Sequence, residues 1–407
     1  MTEWRDAVLG DLIDLFDNKR VPLSSRQRAE RQGPYPYYGA QGVIDHIDDY
    51  IFDGRYILIP EDGENLRSRK LPIAYFAQGR FWVNNHAHIA RGKPGVAIDR
   101  FVQSALEATD IGPFVTGAAQ PKLSQANLRQ IGLRVPPLAA QELIASILDS
   151  LDDLIENSRR RIELLEDMAR AIYREWFVHL RYPGYEDVPL VDSPLGPIPD
   201  GWGVSTLGDA GRWLSGGTPK TSVARYWGGP TPWITSGTLT ARLLDRSDRT
   251  LTPEGVANGT RLVDRDTVVF VVRGMSLVKE FRVGIADVPL AFGQDCKAIV
   301  AAEHVEPLYL GFTFFALQDE IQGMVELAGH GTGKLSTDRL KAIPLLVPVR
   351  DLQAAFVETV TPMREQMTAL RLATDRLVSL RDLLLPKLVS GAIDVSLLDL
   401  EPVSRSA

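Results

Sequence analysis

Two histidines one residue apart, His86 and His88, stand beside Asn84 and Asn85, and three carboxylates, Glu61, Asp62 and Glu64, lie a few residues before Lys70. The first group invites a metal or nuclease reading. On a strand, residues i and i+2 point to the same side, but no cysteine or carboxylate cluster nearby completes a ligand set. A DNA contact or a structural role suits these histidines better. The carboxylates near Lys70 are only faintly nuclease-like, and a solvated turn is the simpler expectation. Gly329-His330-Gly331-Thr332-Gly333-Lys334 has the outline of a phosphate loop. Ala328 stands where that motif needs Gly, and Leu335 where it needs Ser or Thr, so it fails twice. No Asn-Pro-Pro-Tyr or Asp-Pro-Pro-Tyr tetrapeptide is present to hold a flipped adenine, so methyl transfer by this chain itself is not expected. No catalytic, cofactor-binding or metal-binding residue is assigned.

The elements that would position any such residues come in duplicate. Lys122, Leu123, Ser124, Leu128, Ile131, Val135, Pro136 and Gln141 recur without a gap as Lys334, Leu335, Ser336, Leu340, Ile343, Val347, Pro348 and Gln353. Upstream, Trp4, Leu9, Gly10 and Asp11 recur as Trp202, Leu207, Gly208 and Asp209, at a smaller offset. The chain is two copies of one unit, the second longer in its front part. A fused duplicate has an internal two-fold, which suits a two-part target.

Each copy has a β-rich front part and a helical back part. Runs such as Tyr56-Ile57-Leu58-Ile59, Thr267 to Val272 and Ile343 to Val347 read as strands between Gly, Pro and Asp. No βαβ series with a Gly-rich first turn appears, which argues against a doubly wound nucleotide fold. In the first back part, Ile144, Leu151, Ser158, Leu165 and Ile172 form one heptad row, and Leu148, Ile155, Ile162, Ala169 and Trp176 the other. In the second, Phe356, Met363, Leu370, Leu377 and Leu384 repeat the first row, while Thr374 and Arg381 interrupt the other, which Val360, Met367 and Leu388 support. These are coiled-coil seams. Pro362 should kink the second helix or mark a late start, and Arg159-Arg160-Arg161 is expected on a solvated face. Two related helices in one chain can bury their seams against each other, antiparallel if the two-fold holds. At about 1.5 Å per residue each would reach about 65 Å, long enough to act as a spacer along DNA, which advances about 34 Å per turn.

The expected fold is therefore α/β of the α+β type, with a pseudo-two-fold repeat. A front domain spans 1–136, a helix 137–182, a linker 183–201, a second front domain 202–348, a second helix 349–391 and a tail 392–407. At 407 residues, 44% hydrophobic and 24% charged, the composition is that of a multidomain globular protein. One cysteine, Cys296, excludes a disulfide framework. No stretch of 18 apolar residues exists for a membrane span, and Met1 to Gly10 does not read as a signal peptide. A cytoplasmic, membrane-free location is expected. The net charge of −7 argues against gripping DNA by bulk charge, and suggests weak binding alone with affinity gained on assembly.

Several separate segments then point to one family. Leu195-Gly196-Pro197-Ile198-Pro199-Asp200-Gly201-Trp202 is followed by Leu207-Gly208-Asp209, Ser215-Gly216-Gly217-Thr218-Pro219-Lys220, Tyr226-Trp227-Gly228-Gly229 and Pro232 to Gly237. This resembles the opening of a target-recognition domain in specificity (S) subunits of type I restriction–modification systems. Tyr37 to Gly42, Glu61-Asp62-Gly63 and Phe81 to His88 form another version, and the helix ends Glu175-Trp176-Phe177 and Leu384 to Gly391 match too. The resemblance covers nearly the whole chain. It implies a subunit that is not itself an enzyme. Each recognition domain would read half of a split, asymmetric DNA sequence. The helices would set the spacing and dock two adenine-N6 methyltransferase subunits, which restriction subunits can join. Cofactors would belong to partners: S-adenosylmethionine to the methyltransferase subunits, ATP and Mg to the restriction subunits. The alternatives are a self-contained methyltransferase or nuclease, and a coiled-coil adaptor that reads no sequence.

DNA contacts are expected from side chains able to reach base edges or phosphates. In the first domain these are Arg67, Arg69, Lys70, Arg80, Asn84, Asn85, His86 and Lys122. In the second they are Thr218, Lys220, Thr235, Ser236, Arg273, Ser276, Lys279 and Lys334. Lys122 and Lys334 stand out because both copies keep Lys-Leu-Ser, although Ser124 and Ser336 could equally serve as helix caps. Trp227 and Trp233 are expected in the core rather than as stacking platforms.

Overall fold

The computed structural model describes residues 3–328 and 331–395. Gly329 and His330 of the failed phosphate-loop segment, and the tail beyond Val395, lie outside the described residues. The chain divides into two compact units. One comprises 1–159 with 371–407, the other 160–370. Each unit therefore holds one front domain, the first half of the long helix that follows it, and the last half of the other copy's helix.

The two front domains share a plan of strands. In the first, an antiparallel sheet runs in the order Ile13–Leu15, Ala87–Gly92, Tyr56–Pro60, Tyr75–Ala77. In the second the order is Gly211–Ser215, Cys296–Ala301, Val268–Val271, Val283–Ala286, with Leu243–Leu244 added in parallel at the edge. A second sheet of four strands accompanies each. Its parallel step pairs Tyr37 with Trp82 in one copy and Trp233 with Ala291 in the other. The surplus residues of the second copy fall between Trp233 and Phe270 and supply that fifth strand. Ile57, Leu58 and Ile59, like Val268 to Val271, are buried without alternation, because these central strands are covered on both faces. One face carries a helix in each copy, Asp99–Ala108 and Pro307–Ala316.

The repeated residues build the joint between domain and long helix. Arg5–Val8 pairs with Gly132–Val135 in the same register as Gly203–Thr206 with Pro344–Val347. Leu9 and Leu207 then donate to the Ile131 and Ile343 carbonyls at 2.8 and 2.9 Å. Gly10 and Gly208 allow a close approach at that point, since a Cβ there would stand 3.0 Å from the Arg129 side chain and 3.1 Å from the Lys341 carbonyl, tighter than ordinary contact. Ser124 and Ser336 cap the short helices Gln125–Arg129 and Thr337–Lys341 by accepting from the backbone N–H three residues on. Gln141 and Gln353, each 1% exposed, use both ends of the amide. Gln141 accepts from Ile98 N–H and donates to the Val96 and Pro136 carbonyls, and Gln353 accepts from Glu306 N–H and donates to the His304 and Pro348 carbonyls. A buried amide fully matched in this way fixes the angle at which the helix leaves the domain.

The long helices run over Leu138–Tyr173, continued by a π segment to Val178, and over Arg350–Ser390. Contacts within each unit show an antiparallel pairing. In the first unit Asp152 meets Arg381 at 3.0 Å and Arg134 reaches Ser390. In the second the Tyr173, Trp176 and Phe177 rings all lie 5.2–6.1 Å from Phe356. None of the ten heptad residues of the first helix is exposed, while Arg159, Arg160 and Arg161 all are. The second helix passes through Pro362 without a late start. The proline is exposed, so the Glu358 carbonyl that lacks its usual donor can turn to water. Arg381, an interruption of the apolar row, is the partner of Asp152.

The repeated tryptophans seat the exchanged helix ends. Gly391, at φ +77°, ends the second helix against Trp4, and any Cβ there would stand 2.7 Å from the indole. Trp202 packs on Phe177 and Tyr182 beyond the first helix, with ring centroids 6.0 and 5.7 Å away.

One helix position docks each domain with opposite polarity. In the first copy Asp152 and Asp149 of the helix hold Arg100 of the domain. In the second the matching helix residue is Arg364, 5% exposed. It binds domain residues Asp287, at 2.8–3.0 Å, Asp266 and the Ala286 carbonyl.

Candidate nucleic-acid interface

At the end of each central sheet, the strand that opens the domain, the strand beside it and the Lys-Leu-Ser segment converge. In the first copy this corner closes on itself. His88 is 1% exposed. Its Nδ1 lies 2.6 Å from Asp17 Oδ2 and its Nε2 2.8 Å from the Leu123 carbonyl, so both ring nitrogens face acceptors. Burial alone would raise the Asp17 carboxyl. The hydrogen bond and charge of His88, the Ile89 N–H and the charge of Arg20 outweigh it and hold the group below its ordinary value. Arg20 donates to Glu61 at 2.8 Å and to the Ala87 carbonyl at 2.9 Å, and Glu61 also meets Lys122 at 3.4 Å. His86 pairs with Asp62 at 2.7 Å.

The expected readers of this domain are thus mostly occupied. Asn84 is buried and its Oδ1 accepts from His86 N–H. Asn85 is exposed, with its carbonyl 3.4 Å from Arg20. Arg67 donates to the Gly117 and Ala118 carbonyls, and Arg69 to the Glu107 and Thr109 carbonyls at the end of helix Asp99–Ala108. Arg80 pairs with Asp53 and lies over the Tyr50 ring. Lys70 is exposed. Asn84, Asn85, His86 and Lys122 share the corner; Arg67, Arg69 and Arg80 serve other joints. Two expectations change. The strand begins at Ala87, so His86 precedes it and the i, i+2 rule does not align the histidines, which bind different carboxylates. Glu61 and Asp62 belong to a salt-bridge network rather than a solvated turn.

The second copy's corner is open. Ser215 pairs with Lys297 across the two strands that match Ile13–Leu15 and Ala87–Gly92, just beyond the first of which Asp17 meets His88, and Lys297 Nζ donates to Ser215 Oγ at 3.0 Å. Arg273 is the cross-strand neighbour of Lys334. Val272, Arg273, Gln294, Asp295, Lys297, Lys334, Leu335 and Thr337 line a cleft of about 410 Å³. Burial first, then the charge of Lys341, pulls the Lys297 ammonium below the ordinary lysine value. Among the described residues no carboxylate lies within 4 Å of Arg273, Lys297 or Lys334 in an ion pair.

Beside the cleft, Ser276 donates to the Ser236 carbonyl at 3.2 Å and Thr235 bonds Thr238. Lys279 is exposed at the end of helix Ser276–Lys279. Thr218 and Lys220 lie on a different loop, where the Lys220 carbonyl accepts from Trp227. Trp233 is core, as expected. Trp227 is half-buried and carries the Arg249 guanidinium 3.7 Å from its ring centre. Lys297 was absent from the expected set. A lone lysine between buried Cys296 and Ala298 carries a strand-alternation signal, but nothing in its neighbourhood marks it as a reader.

No group of three or more His, Cys, Asp or Glu able to hold a metal is found among the described residues, and no helix among them is long and apolar enough to cross a membrane. The family model described as type I restriction modification DNA specificity domain matches residues 1–167 and 199–372. A putative type I restriction enzyme specificity subunit of Haemophilus influenzae is 36% identical over 152 residues, 37% of this chain and 38% of that protein. The specificity subunit of the MjaIX type I restriction enzyme of Methanocaldococcus jannaschii is 25% identical over 282 residues, 69% of this chain and 64% of that protein. Both matches span less than two thirds of the relative's length. The crystal structure of a type I restriction-modification S subunit from M. genitalium shares the fold, with a TM-score of 0.61 at 17% identity over 95% of this chain and 96% of that one. With a recognition-type front domain matched in each copy, the chain belongs to the type I restriction modification DNA specificity domain family.

Proposed function

We propose that this chain is a DNA-reading, non-catalytic specificity subunit. Each front domain reads one half of a split target in duplex DNA, and the paired helices set the distance between halves. The observation that carries this reading is the doubling of a scaffold whose joints are kept while its exposed corners differ. His86 and Lys122 in one copy, and Arg273, Lys297 and Lys334 in the other, present different chemistry from the same frame. Unlike corners read unlike half-sites, so the target is asymmetric.

In this proposal two adenine-N6 methyltransferase subunits assemble on the helices, and restriction subunits join where the system has them. S-adenosylmethionine binds the methyltransferase subunits, and ATP and Mg the restriction subunits; this chain carries none of them. The assembly works in the cytoplasm. A self-contained enzyme and a non-reading adaptor find no support in the residues of either corner.

The test is co-expression with the cognate methyltransferase subunit in a host free of DNA methylation, followed by single-molecule mapping of N6-methyladenine. A split, asymmetric motif that disappears without this chain is expected. A soluble complex that leaves no motif would overturn the reading. Inserting one or two helical turns after Arg159 should change the gap and leave the half-site letters alone.

A further inference from the structure

The matching corners differ in how their cations are satisfied. In the first copy every basic side chain named at the corner has a carboxylate. Arg20 and Lys122 share Glu61, His86 has Asp62, and His88 has Asp17. In the second, strand register puts Ser215 and Lys297 where Asp17 and His88 stand, and Arg273 takes the place beside Lys334 that Asp62 takes beside Lys122. Three cations then face a cleft whose only lining carboxylate among the described residues is Asp295. Arg273 and Lys334 are exposed on adjacent strands, while Lys297 is half-buried and held in place by Ser215. Three cations against one lining carboxylate leave an excess of positive charge that repels itself, and the arrangement is relieved by an anion between them. Thr337 and Gln294 on the rim add neutral polar side chains.

Resting on the DNA-reading assignment above, we propose that the cleft formed by Arg273, Lys297 and Lys334 seats a backbone phosphate of duplex DNA, and that the self-neutralised corner of the first copy does not. The second domain then supplies electrostatic grip, and the first contributes little salt-dependent affinity at this position. A phosphate contact positions the duplex without reading letters, so its loss weakens binding to all sequences alike.

The experiment uses the full chain, alone and in complex with its methyltransferase subunit, and a fluorescent duplex titrated by anisotropy across a range of salt. Lys297→Gln, Arg273→Gln and Lys334→Gln should each reduce the slope of log affinity against log salt by about one unit. Lys297→Arg should restore it. Lys122→Gln should move the slope by much less. Lys334 and Arg273 are exposed, so their variants separate a lost contact from a lost fold, which thermal melting checks for Lys297. Wild-type protein that binds no duplex in either form would overturn the DNA-reading assignment itself. Wild-type binding with unchanged slopes in the three cleft variants, an equal drop for Lys122→Gln, or a changed sequence choice in place of a uniform loss would overturn the phosphate seat alone.

Discussion

In the first copy the turn just after the strand Ile13–Leu15 brings Asp17 against a buried His88; in the second the matching strand brings Ser215 against Lys297. The helix docks are likewise exchanged, with carboxylates on the helix in one copy and Arg364 on the helix in the other. Lys122 and Lys334, and Asp11 and Asp209, recur as charges, but the repeated contacts that fix the joint are uncharged: the Gln141 and Gln353 amides, the Ser124 and Ser336 caps, and the glycines. A duplicated scaffold can thus keep its geometry with hydrogen bonds and packing while its charges are free to diverge. Geometry is what both copies need, and charge is what lets each domain fit its own helix and its own ligand.

The largest expected effect lies at the exchanged dock. Arg364→Ala leaves Asp287 buried without its main partner and should destabilise the second unit by about 3–5 kcal/mol. Asp152→Ala, at a more exposed position, should cost about 1 kcal/mol. Hydrogen exchange at Val283–Ala286 and at Tyr56–Pro60 would report the two units separately. A larger loss at Asp152 would break the comparison.

Next come the shared amides. Gln141→Leu and Gln353→Leu each strand a backbone N–H and two carbonyls, and should cost about 2–3 kcal/mol apiece. Equal losses would sharpen the claim that the copies agree where charge is absent; a loss confined to one would contradict it.

The corners should differ in pH response. Asp17 is held below its ordinary value in the folded chain, so its contribution is complete above the usual carboxylate range and disappears as pH falls through the depressed native value. Asp17→Asn should cost about 2 kcal/mol at neutral pH and flatten the acid limb of a melting-temperature profile for the first unit. Ser215→Ala should leave the second unit's acid limb as it is. An unflattened profile in Asp17→Asn would remove the electrostatic account of that corner. The smallest effect is expected at the caps, where Ser124→Ala and Ser336→Ala should each cost about 1 kcal/mol by urea unfolding.

Much of the scaffold was legible because it repeats. The offset that relates Lys122 to Lys334 also relates the strands, caps and clamps built from those residues, and the heptad rows mark the buried faces of both helices. The corners were not legible, for a physical reason. Asp17 and Ser215, or His88 and Lys297, share no chemistry, and the surplus chain between Trp233 and Phe270 shifts the offset before His88 and Lys297 are reached. Only strand register relates them. The roles of Arg67 and Arg69 as ties to backbone carbonyls were hidden for another reason. A guanidinium that closes a loop and one that awaits a phosphate look alike until the loop is in place. The interruption at Arg381 was visible as a charge in an apolar stripe, whereas Arg364 lies outside both rows, and the partners of both lie on elements far away in sequence.

The seating of Gly391 on Trp4 and of Phe177 and Tyr182 around Trp202 has a consequence for the covalent chain. Each compact unit is assembled from both repeats, so a cut within 183–201 severs the polypeptide without separating either unit from its parts. The two fragments should stay associated as a complementing pair, and either one alone should lack the helix end that closes its own domain. The segment joining the copies is then a tether that sets local concentration, and the molecule behaves as an interlocked heterodimer written as one gene product.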